Sequence, residues 1–269
     1  MLGPSRTSLA EAQEALAGRV GEPGFDGLSA ELLDVSVLLS QETSLRGLLS
    51  DAGAPAEQRA ALASSVLAGR VPELATDVVA DVVRRRWSSP RDLVDALEIL
   101  GAEAAFLVAE GSGRLDAVED ELFRFARTIA ADDRLSATLN DPAMPDAAKA
   151  DLVADLLRER ADDETVRLVS HVVAHPRGRR AEQAVTQLVE LAANRREELV
   201  AEVTVADGIT EDQQQRLAAA LGRIYGRTVT LQVAVDPTVS GGVVVRMGDE
   251  VIDGSLAHRL AEARRRLGA

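Results

Sequence analysis

Two stretches decide the fold: "SLRGLLSDAGAPAEQRAALASSVL", residues 44–67, and "RLSATLNDPAMPDAAKADLVADLL", residues 134–157. They superimpose without a gap. Leu45 falls on Leu135, Leu49 on Leu139, Asp51 on Asp141, Pro55 on Pro145, Leu62 on Leu152 and Leu67 on Leu157, always 90 positions apart. "DVVADVV" (77–83) and "RLVSHVV" (167–173) continue at the same offset, and after a small slip "LVAE" at 107–110 recurs at 199–202. Apolar residues within each copy recur at helical spacing, so the chain is expected to contain two related helical bundles in tandem. A solenoid would need about three or more shorter units.

Around these stretches the helix grammar is dense. Ser8 followed by Glu11 has capping-box spacing and predicts a helix from Ser8 to Arg19. Leu28, Leu32, Val35 and Leu39 form one stripe, and Pro55 and Pro72 suit first helical turns. Ser89 and Pro90 open a long helix with apolar positions at Leu93, Leu97, Leu100, Ala104 and Leu107, stopped by Gly111-Ser112-Gly113. Leu115, Val118, Leu122, Phe125 and Ile129 start the second copy.

From Val200 the period changes. "VAEVTVAD" alternates as a strand, Thr210 and Gln213 box a helix that stops at Gly226, and "RTVTLQVAVD" alternates again. "VVVRMGDEVIDGSLAHRL" (243–260) then reads as strand, tight turn at Gly248-Asp249, short strand, and a last helix capped by Asp253 or Ser255, with Gly254 easing the bend. The expected fold is α+β, predominantly α: helical bundles over 1–100 and 101–199, then a small βαββα domain over 200–269.

Composition narrows the function. The chain has 269 residues, no cysteine, a net charge of −14 and 2% aromatic residues. That balance argues against nucleic acid, whose phosphates need a basic surface and whose bases need stacking platforms. Absent thiols exclude disulfides and thiolate metal sites and fit a reducing compartment. No window approaches the roughly 18 apolar residues that span a bilayer, and the acidic start is no signal peptide, so a cytoplasmic-side protein is expected.

Motifs for chemistry are missing. There is no Walker loop, and "GSGRLD" (111–116) follows a helix where a dinucleotide fingerprint follows a strand. His171 and His175 are four apart, as in a helical metal pair, but nothing signals a third ligand and Pro176 ends the helix, so a helix-end pair is the better reading. The arginine runs at 84–86 and 177–180 sit at equivalent places in the two copies, either complementing helix dipoles or forming a rim for an acidic or helical partner. No catalytic, cofactor or metal residues are expected.

The C-terminal stretch carries a resemblance. Gly241, Gly242, the apolar Val243 to Val245, Arg246, the Gly248-Asp249 turn, Val251 to Ser255 with Asp253 and Gly254, and Arg259 with Leu260 together resemble the C-terminal signature of the delta subunit of bacterial F-type ATP synthases, equivalent to the mitochondrial oligomycin-sensitivity-conferring protein. "AEAAFLVAEGSGRLDAVEDELFRFARTI" (102–129) looks like that family's first two helices. Residues from about 101 onward therefore resemble an ordinary-length delta subunit, and 1–100 look like the extra copy of a lengthened form. The resemblance implies a non-catalytic stator subunit at the cytoplasmic face of the membrane, present once per complex and monomeric in isolation. Its helical domain would receive N-terminal helices of alpha subunits, and its C-terminal domain the C-terminal helices of b subunits. A helical scaffold for another bacterial complex is the alternative.

Overall fold

A computed structural model describes residues 1, 3–197, 199–225, 229–236, 242–247 and 250–253. Two compact units divide it, Met1–Arg195 and Arg196–Ala269.

The first unit contains eleven described helices: α1 (Pro4–Ala17), α2 (Phe25–Gln41), α3 (Thr43–Ser50), α4 (Ala56–Leu67), α5 (Glu73–Arg84), α6 (Pro90–Gly111), α7 (Leu115–Ala131), α8 (Asp133–Leu139), α9 (Asp146–Leu157), α10 (Asp163–Ala174) and α11 (Ala181–Glu197). The starts of α2, α3, α4 and α5 lie 90 residues before those of α7, α8, α9 and α10. The sequence repeat is thus a repeat of structure. Even a buried base repeats: Arg59, which donates to the carbonyl of Arg84 at 2.8 Å, is 5% exposed, and so is its counterpart Lys149, the only lysine.

At the same offset α1 matches residues 94–107 of α6, and α6 matches α11. So α6 is at once the sixth helix of the first bundle and the first of the second. Leu93, Leu97, Leu100, Ala104 and Leu107 enter one apolar core, with α1 to α5. Ala102, Ala105, Phe106 and Ala109 enter the other, with α7 to α11 and with Leu33 of α2. Every residue from Leu100 to Leu107 is buried, as expected of a helix apolar on all faces. The division expected at residue 100 falls inside this helix, and no linker separates the bundles.

Several local readings hold, and others change. Ser89 caps α6 by accepting from the Asp92 N–H at 3.2 Å, Pro90 stands in the first turn, and Gly111 ends the helix. α1 instead begins at Pro4, leaving Ser8 mid-helix, so no capping box forms with Glu11. Ser8 Oγ donates to the Arg86 carbonyl (2.8 Å), and Ser5 Oγ donates to Asp92 (2.8 Å) while accepting from the Ser88 N–H (2.7 Å). Their hydroxyls pin α1 to the start of α6. The repeated "LVAE" also parts company with the fold, being helix at 107–110 and strand at 199–202.

The second unit is built on β1 (Leu199–Val205), α12 (Glu211–Tyr225), β2 (Val229–Val235), β3 (Val243–Met247) and β4 (Glu250–Asp253). The sheet order is β2-β1-β3-β4, with β1 and β2 parallel and the other pairs antiparallel. α12 supplies the crossover that a parallel pair requires. Thr210 and Gln213 form the expected reciprocal cap, Thr210 N–H to Gln213 Oε1 at 2.8 Å and Gln213 N–H to Thr210 Oγ1 at 3.3 Å. Ala201, Val203, Val205, Leu221, Val229 and Val245 close a small core. Four strands are present among the described residues, one more than the βαββα shorthand counts; the additional one is the short strand read after the Gly248-Asp249 turn, and it takes in Asp253, which was read as a cap candidate. The final helix and the Gly226 stop lie outside the described residues.

The crossing of α2 and α6 depends on one glycine. A Cβ on Gly101 would lie 2.8 Å from both Cγ and Cδ2 of Leu33 and 3.3 Å from the Ser29 carbonyl oxygen. Ala in a helix interior is favoured over Gly by about 1 kcal/mol, whereas overpacking a core costs roughly 1–3 kcal/mol. Leu33 is 2% exposed, so its side chain must shift within the core to admit a methyl group. We predict that Gly101→Ala lowers stability in urea unfolding by about 1–2 kcal/mol, and that Leu33→Ala combined with it costs less than the two changes summed; a stabilised Gly101→Ala would show that the helices can part.

Candidate docking cleft

The functional residues expected from sequence cluster on β3, β4 and the segment beyond. Gly242 has φ +86°, a conformation open mainly to glycine, and leads directly into β3. Arg246 is exposed in β3, with Glu202 of β1 and Val251 of β4 as its register partners. Met247 pairs with Glu250, so β3 and β4 are joined by two residues, and Asp253 closes β4 opposite Val244. These positions share one hairpin. Gly241, Gly248, Asp249, Gly254, Ser255, Arg259 and Leu260 lie outside the described residues.

Sequence reasoning did not mark a cleft in the helical unit. A cleft of about 310 Å³ opens between α6, α10 and α11. Ile99 and Ala102 from α6, Val172 from α10, and Leu188 and Leu191 from α11 form its apolar wall. Met1 also lines it.

One end is charged. Glu98, with 8% of its side chain exposed, receives Arg177 at 2.5 Å and Arg179 at 2.8 Å, and Arg177 also reaches Asp95 at 2.9 Å. The α10–α11 connection is bent to deliver them, with Arg177 at φ +48° and Gly178 at φ +83°. Arg91 donates to the Arg177 carbonyl at 2.6 Å, tying that loop back to α6. A carboxylate at this depth is tolerable only because two guanidiniums meet it; deleting either side of such a pair typically costs about 3–5 kcal/mol. The arginine runs therefore do not form one shared rim. Arg84 and Arg85 pair with Glu57, Glu11 and Asp81, whereas Arg177 and Arg179 turn into the cleft.

His171 is part of the same cluster. Its Nε2 is 4.0 Å from Glu98, beyond hydrogen-bond reach, and its ring meets that of His175 at 5.2 Å. Burial first, then the positive charges of His175, Arg177 and Arg179, press its pKa down from 6.5 to about 3. Among the described residues no group of three or more His, Asp and Glu is placed to hold a metal ion. At the α8–α11 junction Glu182 behaves oppositely: burial works against its charge, but hydrogen bonds from Ser136, Arg180, its own backbone and Asn140 prevail and hold it at about 2.

The depressed His171 value has a pH consequence. Below about pH 6.5 the unfolded chain takes up a proton that the folded chain refuses until about pH 3, so stability falls as pH drops through that window. By linkage the effect at pH 5 is about 2 kcal/mol. Thermal melts at pH 7 and pH 5 should show a smaller drop for His171→Leu than for the parent; equal drops would mean that His171 protonates freely in the fold.

Comparison with known proteins places these features. The family model for the ATP synthase delta (OSCP) subunit matches residues 102–267. ATP synthase subunit delta of Streptomyces coelicolor is 47% identical over 271 residues, covering 100% of this chain and 99% of the relative. That of Acidothermus cellulolyticus is 45% identical with 100% of both covered, and that of Nocardia farcinica 43% identical with 99% and 100% covered. The family model thus begins where the second copy begins, while these relatives also match the first.

Proposed function

The chain belongs to the ATP synthase delta (OSCP) subunit family, and from that premise we propose that it works as a peripheral-stalk (stator) subunit of the F-type, proton-translocating enzyme. It links alpha subunits at the top of the catalytic head to the b subunits of the stalk, so that the head does not turn during ATP synthesis. The observation that carries this reading is the full-length match, at 43–47% identity, to proteins named subunit delta. The protein is non-catalytic and needs no cofactor.

Each module has a surface suited to its part. The helical unit offers an apolar cleft between three helices, the form of site that receives the apolar face of an amphipathic helix. We assign it to N-terminal helices of alpha subunits. The β3–β4 hairpin, with Gly242, Arg246 and Asp253, and the motif residues that continue it mark the side assigned to the C-terminal helices of b subunits. With two tethers on one molecule, engagement of the first holds the second at high effective concentration, so moderate contacts together resist torque.

Among the described residues no helix is long and apolar enough to cross a membrane. Attachment to the membrane is then peripheral, through the complex, and we place it on the cytoplasmic face with one copy per enzyme and a monomer in isolation. Residues 1–100, 101–199 and 200–269 serve as the extra bundle, the family's helical domain and its C-terminal domain, with α6 common to the first two.

Purified chain should capture both a synthetic peptide of the N-terminus of the cognate alpha subunit and a fragment holding the C-terminal helix of the cognate b subunit. Failure to retain either one would remove the stator reading and leave the scaffold alternative.

A further inference from the structure

α6 and α11 are tied to each other at both ends. At the start, Arg179 meets Glu98 and Arg91 holds the Arg177 carbonyl. At the far end, Nε and Nη2 of Arg195 both donate to Oε2 of Glu110, at 2.9 and 2.7 Å. Between these ties the two helices share the second apolar core, to which α11 contributes Ala181, Ala184, Val185, Leu188 and Ala192. Ala192 is the last of them. Beyond it Ala193 is half-buried and Asn194 exposed, yet Arg195 is only 7% exposed. A charged contact thus continues the grip of α11 on α6 after the apolar one has run out.

Each partner suits its place. α6 closes in a Schellman turn, with the Gly113 N–H on the Glu110 carbonyl at 2.9 Å, the Arg114 N–H on the Ala109 carbonyl at 2.7 Å, and Gly113 at φ +69°. Glu110 therefore stands on a closed helix end, not on a fraying one. A carboxylate in a last turn faces the negative end of the helix dipole, and the guanidinium beside it offsets that; Arg195, near the end of α11, suits its own helix as well. The two copies show why the contact is needed. At the offset of 90 Arg195 corresponds to Ala105, which is fully buried in the second core. So α6, the sixth helix of the first bundle, is gripped at this place by the bundle that follows. α11, the sixth helix of the second, is followed by β1, and the compact helical unit ends at Arg195 itself.

Any pull exerted on the chain beyond Arg195 reaches the helical unit through the end of α11. A helix pulled from its end peels away turn by turn, and each turn gives up only a few contacts. We propose that the Glu110–Arg195 pair is a stop against such peeling: it locks the last turns of α11 to the closed end of α6, so that a pull from the C-terminal side is carried by the helix that both cores hold. Glu110 and Arg195 are positioning residues in this sense. The use of the lock in bearing torque rests on the stator reading; the lock itself does not.

Native-state hydrogen exchange on the full chain tests the lock. Glu110→Gln keeps the shape of the side chain and removes its charge. Amide exchange over residues 192–197 should then rise about tenfold, while 100–107 in α6 and 168–173 in α10 keep their parental rates. Arg195→Met, which keeps an apolar stem without the cation, should give the same local rise, and the double variant little more than either change alone. The side chain of Glu110 is 36% exposed, so Glu110→Gln is the milder change and keeps the test open if Arg195→Met does not fold. A mechanical readout is also at hand. The chain has no cysteine, so Arg6→Cys and Glu197→Cys place unique handles, and in optical-tweezer pulling between them the first extension should come at lower force with Glu110→Gln. Parental exchange over 192–197, an equal rise in all three segments, or a parental first-extension force overturns the proposal. Capture of the b fragment by the parent chain, measured alongside, tests the stator reading separately, and its failure would leave the lock standing.

Discussion

The architecture of the helical unit depends on the burial of α6. Between Leu100 and Leu107 the helix has no solvent face, because one side completes the first core and the other begins the second. Two bundles that each lacked a helix would expose apolar stripes. Sharing one helix removes both surfaces from water, at roughly 25 cal/mol per Å² of apolar area. The condition is close approach, and Gly101 against Leu33 and Ser29 satisfies it. Glu103, polar but 9% exposed within this stretch, is tolerated because Gln13 of α1 donates to it at 3.1 Å.

Duplication gave two copies of one bundle, and the structure shows how little is needed to make them unequal. The decisive difference is at one connection. Trp87 enters the core of the first copy, whereas Arg177 and Arg179 gather around Glu98 in the second. An indole contributes a large buried area. A buried carboxylate between guanidiniums contributes little net stability, because desolvation offsets the attraction. The second copy is thus less completely packed at the place where it opens. Sites that receive partners are commonly drawn from such less stable regions.

Much of this was legible in the sequence because local and long-range signals agreed. The offset of 90 marked two related helical bundles, and Ser89-Pro90, Gly111 and the Thr210–Gln213 pair set individual ends. What could not be read shares a cause. Ser8 and Glu11 have the letters of a cap, but Ser8 uses its hydroxyl on Arg86, a partner 78 residues away. "LVAE" is helical within α6 and extended within β1 because burial, not local preference, decides short apolar runs. The long apolar stripe from Leu93 to Leu107 was visible, but not that residues between its members face a second core. The cleft too was hidden, although aligning Trp87 with Arg177 would have flagged a large aromatic set against a charged residue.

A shared helix also changes how force passes through the protein. Bundles joined by a flexible linker can pivot, and the pull from a partner on one is lost in the linker before it reaches the other. Here the joint is α6, a helix of 22 residues and so about 33 Å long, with its middle turns clamped on all sides. To bend between the bundles it would have to break its own hydrogen bonds and open two cores together. Ser5 fixes its first turn to α1, and Ser8 the connection just before it, while Arg91 and Glu98 fix the same half to the loop before α11. Load applied at the cleft therefore enters the helix that both cores hold. For a protein that resists torque, such stiffness gives the added copy a use even with its own cleft sealed.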